Sequence, residues 1–190
     1  MTRLARPEEL GPHLEESARA WEQILGCDGS PLCVFGRIEA LARSWARVHR
    51  EVLEPYGINY AELTTLGMLR TASGAARQPR ELRALVGQTS AGMTRILDKL
   101  EELRLVRRVA HADDGRRVEV RLTPRGAAFA EECTEAMLGV ESALLSGATK
   151  RERDALRLGI DALLTAFAER RTPGARAASA RRGSAARPSA

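Results

Sequence analysis

The fold is decided by residues 88–126, which read QTSAGMTRILDKLEELRLVRRVAHADDGRRVEVRLTPRG. The first half of this stretch predicts an amphipathic helix, because its apolar residues recur at helical spacing and Thr89 or Ser90 supplies a capping oxygen at the start. The apolar residues are Met93, Ile96, Leu97 and Leu100. Ala91 and Arg95 lie almost opposite this stripe, so the outward N-terminal half carries small, hydroxyl and basic side chains that suit a groove.

The second half of the stretch changes its apolar period from helical to alternating, which predicts two short strands. Asp113, Asp114 and Gly115 lie between the strands and have the composition of a turn. The alternating residues are Val106, Val109, Val118, Val120 and Leu122. A helix followed by a hairpin with arginines at its tip predicts a winged helix, and a short helix ending at Gly87 completes a helix-turn-helix in front of it.

The hairpin resembles the wing signature of the MarR family of bacterial transcription regulators. The residues that carry this resemblance, at the spacing of the signature, are Asp114, Arg116, Leu122, Thr123 and Gly126. The segment SAGMTRILDKLEELRLVRR is similar to that family's recognition helix, and a looser resemblance extends over about residues 33–170. The resemblance implies a mainly α fold, a winged helix-turn-helix with a helical dimerisation region, in which the first and last helices of two subunits interlock as a homodimer.

The rest of the chain predicts further helices on both sides of the winged helix, each marked by an apolar stripe or a capping pattern. The capping pairs Asn59 with Glu62 and Thr149 with Glu152 mark two of the starts. These elements divide the chain into an N-terminal extra helix and loop (1–32), a dimerisation or core helix (33–58), a winged helix-turn-helix DNA-binding lobe (59–126), C-terminal dimerisation helices (127–171) and a disordered basic tail (172–190).

Length and composition exclude several classes of protein. The 190 residues, 44% apolar and 29% charged, suffice for one compact domain with appendages. No apolar run approaches the roughly eighteen residues of a membrane span, and the first residues turn acidic where a signal peptide needs an apolar core, which predicts a cytoplasmic protein without a membrane partner. Phosphate-loop, GxSxG and HExxH motifs are absent, which predicts a protein that is not an enzyme and needs no cofactor.

The histidines and cysteines give no metal-binding pattern. His13, His49 and His111 are scattered, and the cysteines lack paired spacing. The cysteines, Cys27, Cys33 and Cys133, fit small apolar residues in a reducing compartment. Some MarR relatives sense oxidants through a cysteine, so a redox role for Cys27 or Cys33 is the alternative interpretation.

Positive charge is concentrated in two parts of the chain. The net charge is +5, and residues 170–190 contribute six arginines and no acid, which leaves −1 for residues 1–169. Residues 88–126 carry nine basic and six acidic side chains, a net charge of +3. Basic charge on the winged helix and on the tail is the distribution that a polyanion-binding protein needs.

The outward side chains of the winged helix have the chemistry to bind double-stranded DNA. Arg95 can bring a guanidinium to guanine O6 and N7 in the major groove, and Ser90 and Thr94 can reach bases or phosphates. Arg116 at the hairpin tip suits the minor groove. The predicted phosphate contacts are Lys99, Arg107 and Arg117.

These assignments have plainer alternatives. Arg95 and Lys99 could be solvated charges on a helix face. Arg116 could pair with Asp114, although in the family that pairing coexists with insertion into the minor groove. The alternatives therefore concern single residues and leave the winged-helix interpretation in place.

The resemblance also implies an effector site, because many family members bind an aromatic or phenolic molecule between the dimer helices and the DNA-binding lobe. Trp45 and His49 lie one helical turn apart, so the long helix presents a ring and a titratable donor side by side. The residues assigned to this site are Trp21, Trp45, His49, Thr64 and Arg108. The alternative is that Trp21, Trp45 and His49 are core or interface residues.

One branch of the family carries an extra N-terminal helix with a tryptophan and senses urate, and residues 7–25 with Trp21 resemble that helix. The ligand pattern of that branch is Trp, Asp, Arg and Arg. When the chains are aligned by the recognition helix, Trp21 and Arg108 match the pattern. Thr64 and Ile96 stand where the aspartate and the first arginine belong, so the resemblance does not extend to urate as the ligand.

Two hypotheses about function follow from these observations. The first is a ligand-responsive dimeric DNA-binding transcriptional regulator, a repressor that binds an inverted-repeat operator and is released by a small aromatic effector. The second is a winged-helix nucleoid-structuring or protein-interaction module without an effector. Protection of a short inverted repeat separates them, because only the first hypothesis requires sequence-selective binding.

Overall fold

The computed structural model describes residues 7–72, 76–111 and 114–171, with the side chains of residues 7–9, 111, 114–117 and 171 excepted. Within these residues, the predicted mainly α winged helix-turn-helix is confirmed. The helices are α1 Pro7–Leu25, α2 Ser30–Leu53, α3 Tyr60–Arg70, α4 Pro79–Val86, α5 Ser90–Glu102, α6 Pro124–Leu145 and α7 Lys150–Arg171, and the strands are β1 Val106–His111 and β2 Asp114–Leu122. No helix of the described residues is long and apolar enough to cross a membrane.

The chain divides into two compact units, Met1–Leu138 and Gly139–Ala190. The first unit contains the winged helix, and the second contains the end of α6 together with α7. The division of the chain into five functional segments stays a prediction. The predicted disorder of the tail at 172–190 falls outside the described residues.

The first helical hairpin differs from the prediction at one boundary. We expected α2 to begin near Cys33, but it begins at Ser30. Pro31 lies in its first turn, where proline is tolerated because the amide there has no partner within the helix. Helices α1 and α2 pack closely: a Cβ on Gly36 of α2 would lie 2.5 Å from Leu14 Cδ2 of α1.

The helix starts follow their capping residues as predicted. At α3, the Asn59 side chain accepts from the Glu62 amide at 3.0 Å, and the Glu62 carboxylate accepts from the Asn59 amide at 2.8 Å. Helix α4 begins at Pro79 and ends at Gly87, whose φ of 70° is left-handed. The start of α5 has Thr89 as its cap, since the Thr89 hydroxyl accepts from the Gly92 amide at 3.1 Å.

The core of the first unit forms beneath α5. Met93, Ile96, Leu97 and Leu100 are all buried, as their spacing predicted. They join the buried leucines of α3 and α4 and the buried Val106 and Val120 of the two strands. This packing fixes which face of α5 is left outside.

The wing is an antiparallel hairpin in which Val106 pairs with Leu122 and Arg107 with Arg121. Arg77 adds an isolated bridge to Val120, with reciprocal backbone hydrogen bonds of 2.8 and 3.1 Å. The predicted turn was too long: β2 already begins at Asp114, so Asp114 and Gly115 are strand residues, because the hairpin register pairs Asp114 with His111. Asp113 lies outside the described residues.

The end of the wing signature joins β2 to α6. The Thr123 hydroxyl accepts from the Gly126 amide at 2.9 Å and donates to the carbonyl oxygen of Arg104 at 2.8 Å. A Cβ at position 126 would lie 1.8 Å from the carbonyl oxygen of Leu105, so only glycine fits there. These contacts explain the threonine and the glycine of the signature as structural residues.

Many large apolar side chains are exposed on the helices outside the winged helix. In the first unit they include Trp21 and Ile24 on α1 and Val34, Phe35 and Leu41 on α2. In the second unit they include Leu156, Ile160, Leu164 and Phe167 on α7. Apolar surface of this extent marks an interaction surface.

Candidate nucleic-acid interface

The N-terminal half of α5 presents an open surface. Ala91, Thr94 and Arg95 are exposed on the side opposite the buried stripe, as predicted. Within the part of the chain that the structure describes, the Arg95 side chain makes no hydrogen bond or ion pair. Its guanidinium therefore keeps all of its donors for an external acceptor.

The hydroxyls of this half are already engaged with the protein. The Thr94 hydroxyl donates to the Ser90 carbonyl oxygen at 3.0 Å, and the Ser90 hydroxyl accepts from Arg83 Nη1 at 3.0 Å. Both hydroxyl oxygens keep acceptor capacity, and the Ser90 hydroxyl keeps its proton to donate. Arg83 on α4 is a basic residue of this surface that our sequence analysis missed, although its position one turn before Gly87 was an available signal.

The C-terminal half of α5 is held by ion pairs instead. Lys99 Nζ lies 2.8 Å from Glu62 Oε2, and the Glu62 side chain is only 5% exposed. The same carboxylate oxygen accepts the Asn59 amide, so the start of α3 and the middle of α5 share one acceptor. The pairing gives Lys99 a structural role, and its predicted phosphate contact stays a prediction.

Arg108 on β1 makes a second connection to α5. Its Nη2 lies 2.6 Å from Asp98 Oδ1, its Nη1 pairs with Glu101, and its backbone amide donates to Glu101 at 2.9 Å. Partial burial lowers the pKa of Arg108, but the hydrogen bonds to Asp98 and Glu101 outweigh it and raise the pKa above its ordinary value. These pairs assign Arg108 to the attachment of the wing, which does not fit the predicted effector contact.

The basic residues of the wing divide between its two faces. Successive side chains of a strand point to opposite faces, so Arg107 points away from α5 when Arg108 points toward it. The phosphate contact predicted for Arg107 stays a prediction. Arg116 and Arg117 lie on β2, but their side chains, and hence the Asp114–Arg116 alternative, fall outside the described part of the structure.

Three rings stack between α2 and α3. The rings of Trp45 and His49 meet edge to face with centroids 4.1 Å apart, and the His49 and Tyr60 rings are parallel with centroids 3.7 Å apart. His49 Nε2 is buried without a hydrogen-bond partner among the described residues, and desolvation lowers the pKa of His49. Thr64 lies one turn beyond Tyr60, and its hydroxyl donates to the Tyr60 carbonyl oxygen at 2.7 Å.

The structure brings only part of the predicted effector site together. Trp45, His49 and Thr64 lie around Tyr60, a residue that the sequence analysis missed because nothing in the spacing linked α3 to α2. Trp21 is 48% exposed on α1, and no ring contact or hydrogen bond among the described residues joins it to the stack.

The cysteines differ in exposure. Cys133 is fully buried, and desolvation, aided by the charge of Glu132, raises the pKa of its thiol to about 11. Cys33 is half-buried, with its Sγ 3.6 Å from the carbonyl oxygen of Leu14, and Cys27 is exposed. A thiol with a raised pKa forms little thiolate, so Cys133 is unreactive at neutral pH.

Several known proteins are similar to part of this sequence. Residues 56–117 match the model of the MarR family. The multiple antibiotic resistance protein MarR of Escherichia coli (strain K12) is 36% identical over 87 residues, which are 46% of this chain and 59% of that protein. The HTH-type transcriptional regulator PrsX of Escherichia coli is 34% identical over 84 residues, 44% of this chain and 51% of that protein. The chain thus spans about half to three fifths of the curated relatives that it matches.

Solved structures extend the likeness over more of the chain. A crystal structure of mutant MarR from E. coli complexed with operator DNA has a TM-score of 0.62 and 28% identity, covering 76% of this chain and 97% of that one. The S. aureus MepR–DNA complex has a TM-score of 0.63 at 20% identity, covering 70% and 94%, and shows the fold alone. Residues 56–117 thus have the sequence of a MarR-family winged helix, and the fold of the chain is similar to that of E. coli MarR.

Proposed function

We propose that the chain is a transcriptional regulator that binds double-stranded DNA as a homodimer. The observation that carries this proposal is the exposed N-terminal half of α5. It presents Ala91, Thr94 and an Arg95 with no partner among the described residues, above a buried apolar stripe. A helix of this kind fits the major groove, which admits an α-helix. A relative with the same fold, E. coli MarR, has been solved with operator DNA.

Each side chain of this surface has a distinct task in the proposal. Arg95 donates two hydrogen bonds to a guanine, the commonest sequence-specific contact of arginine. Ser90 and Thr94 contact bases or phosphates with the capacity that their internal bonds leave, and Arg83 adds positive charge beside Ser90. Arg116 enters the minor groove and Arg117 contacts phosphate, because both belong to the hairpin end of β2.

The proposed dimer uses the exposed apolar helices. Side chains such as Val34 and Leu41 on α2, and Leu156 and Leu164 on α7, are more exposed than side chains of an isolated folded domain usually are. Two copies related by a two-fold axis bury such surface and place two α5 helices on half-sites about one helical turn apart. The corresponding operator is an inverted repeat of roughly 16–20 base pairs.

The proposed effector is a small aromatic or phenolic molecule that releases the DNA, so that the regulator acts as a repressor. The stack of Trp45, His49 and Tyr60 supports this part, since it offers aromatic faces and, among the described residues, an imidazole nitrogen without a hydrogen-bond partner. Thr64 adds a hydroxyl beside the stack. A difference of about 1–3 kcal/mol in effector affinity between DNA-competent and DNA-incompetent dimers gives roughly a 5- to 150-fold response.

The alternative function is a nucleoid-structuring or protein-interaction module without an effector. The arginines of residues 172–190 favour it, because a charged segment supplies affinity for DNA of any sequence. Removal of residues 172–190 separates the two functions. A regulator keeps its preferred site and loses only nonspecific affinity, whereas the alternative module loses most of its DNA binding.

Selection from a random duplex pool followed by footprinting tests the proposal. The full chain should enrich and protect one short inverted repeat. Arg95→Ala should weaken binding to that repeat by about 1–3 kcal/mol. Arg43→Ala is the matched control, because Arg43 is an exposed helix-face arginine on α2 that pairs with Glu39. Uniform protection of unrelated DNA would support the alternative module.

A further inference from the structure

We propose that a cavity at the base of the wing binds a small organic anion, whose carboxylate meets arginines while its apolar body lies against leucine and proline. The cavity has a volume of about 350 Å³ and lies between the end of α3, the two strands and the start of α6. Its lining includes Leu69, Arg70, Arg107, Arg121, Leu122 and Pro124. All of these residues belong to the first compact unit.

Two of the arginines oppose each other directly across the hairpin. Arg107 and Arg121 are register partners on the face of the wing away from α5. Like charges in directly opposed positions repel each other and destabilise the strand pair. An anion bound between them removes this repulsion, so the pair has a physical reason to bind one.

The acidic side chains near the cavity do not occupy all the guanidinium donors of its arginines. Arg70 Nε and Nη2 lie 2.7 and 2.6 Å from Glu131 Oε1, so Arg70 is paired. Arg121 Nη2 lies 3.7 Å from Glu119 Oε2, which is longer than a hydrogen bond. Arg107 makes no hydrogen bond or ion pair among the described residues. The guanidiniums of Arg107 and Arg121 can therefore both donate to a carboxylate.

The rest of the lining selects an organic ligand over a bare inorganic ion. Leu69, Leu122, Pro124 and Ala127 supply apolar surface next to the arginines. A site with a few polar groups on an apolar wall, at the small end of the usual range of pocket volumes, suits a molecule with one ring and one acid group. The chemistry thus indicates a compact carboxylate rather than phosphate.

This site is separate from the aromatic stack of the proposed effector. It is built from the wing and the adjoining ends of α3 and α6, whereas the stack is built from α2 and α3. Binding is measured on the protein without DNA, so its failure leaves the proposed operator binding untouched. The competing occupant is a phosphate of the DNA backbone, which the same experiment distinguishes.

Calorimetric titration of the full chain at low ionic strength tests the proposal, with benzoate, neutral benzamide and inorganic phosphate as probes. Benzoate should bind more tightly than either of the others. Arg107→Gln and Arg121→Gln should each weaken benzoate binding at least about tenfold, as expected for one lost charge-assisted hydrogen bond. Arg157→Gln on α7, an exposed arginine paired with Asp161, should leave benzoate binding unchanged.

Both variants should keep the circular dichroism spectrum of the parent chain and unfold at a midpoint at least as high, because each substitution removes the like-charge repulsion between Arg107 and Arg121. The proposal is overturned if benzoate does not bind, if benzamide binds equally, or if both substitutions leave its affinity unchanged. It is also overturned if phosphate is the tighter ligand and each substitution lowers the salt dependence of DNA binding by about one phosphate contact.

Discussion

The two halves of α5 have opposite relations to the rest of the protein. The N-terminal half has an exposed Arg95 without a partner in the described part of the chain, whereas the C-terminal half is tied to α3 through Lys99 and to the wing through Asp98 and Glu101. The difference shows how one helix can be both a rigid part of the fold and an open binding surface. The ion pairs hold the C-terminal half in place, and the buried apolar stripe leaves Arg95 on the outside.

The largest expected effect concerns Glu62, which both caps α3 and pairs with Lys99. Glu62→Ala should lower the free energy of unfolding by about 2–4 kcal/mol, since it removes a capping interaction and a buried charged hydrogen bond. Urea unfolding at a fixed protein concentration measures this. Glu51→Ala is the control, because Glu51 is exposed and its oxygen lies 3.7 Å from Arg47. An equal loss of unfolding free energy in both variants would show that Glu62 has no special role in stability.

The next effect separates the two possible roles of Lys99. Lys99→Met should lower the free energy of unfolding by about 1–3 kcal/mol, because the buried carboxylate of Glu62 would lose one of its two hydrogen-bond donors among the described residues. The salt dependence of operator binding should stay as it is. A phosphate contact would instead reduce the slope of log affinity against log salt by about 0.9, and that result would restore the role first predicted for Lys99.

A smaller effect is expected at the other connection of α5. Arg108→Gln removes the ion pairs to Asp98 and Glu101, but the side chain of Arg108 is 31% exposed and Asp98 is 58% exposed, so water screens them. The unfolding free energy should fall by no more than about 1 kcal/mol. A loss as large as that of Glu62→Ala would show that the wing contributes more to the stability of α5 than α3 does.

The smallest effect is a pH dependence from His49. Burial lowers the pKa of His49 in the folded protein, so below the ordinary value of about 6.5 the unfolded chain binds more protons. The stability from the neutral ring is therefore complete above that pH and declines as the pH falls through this range. His49→Phe keeps a ring in the stack and should flatten the decline in urea unfolding between pH 7.5 and 5. If stability falls equally with pH in His49→Phe and in the parent chain, groups other than His49 cause the fall.

Local patterns predicted the fold well because they depend on neighbouring residues. The buried stripe of α5, the Asn59–Glu62 cap and the end of α4 at Gly87 are each set within one or two turns of chain. The interactions that the sequence did not predict join residues far apart. Glu62 and Lys99 are 37 residues apart, and Tyr60 stacks on His49 of another helix.

The distance between partners along the chain also explains why the sequence did not predict the ion pairs of Lys99 and Arg108. Helical periodicity shows that Lys99 flanks the outward face, but only the packing of α3 against α5 brings a buried carboxylate to it. Alternation along β1 separates Arg107 from Arg108, but only the position of α5 decides which of them is paired. Arg95 is different, because the helical spacing of its neighbours in sequence is enough to predict that it is exposed, and it is exposed in the structure.

A base-preference scan of the selected operator, with the parent chain and Arg95→Ala, measures whether Arg95 contacts a base. Every position of one half-site is replaced in turn, and the affinity of both proteins is measured at one salt concentration. If Arg95 reads a base, Arg95→Ala should lose the base preference at one position per half-site and keep the preference at all other positions. An equal loss of affinity for every sequence, with all preferences retained, would contradict it.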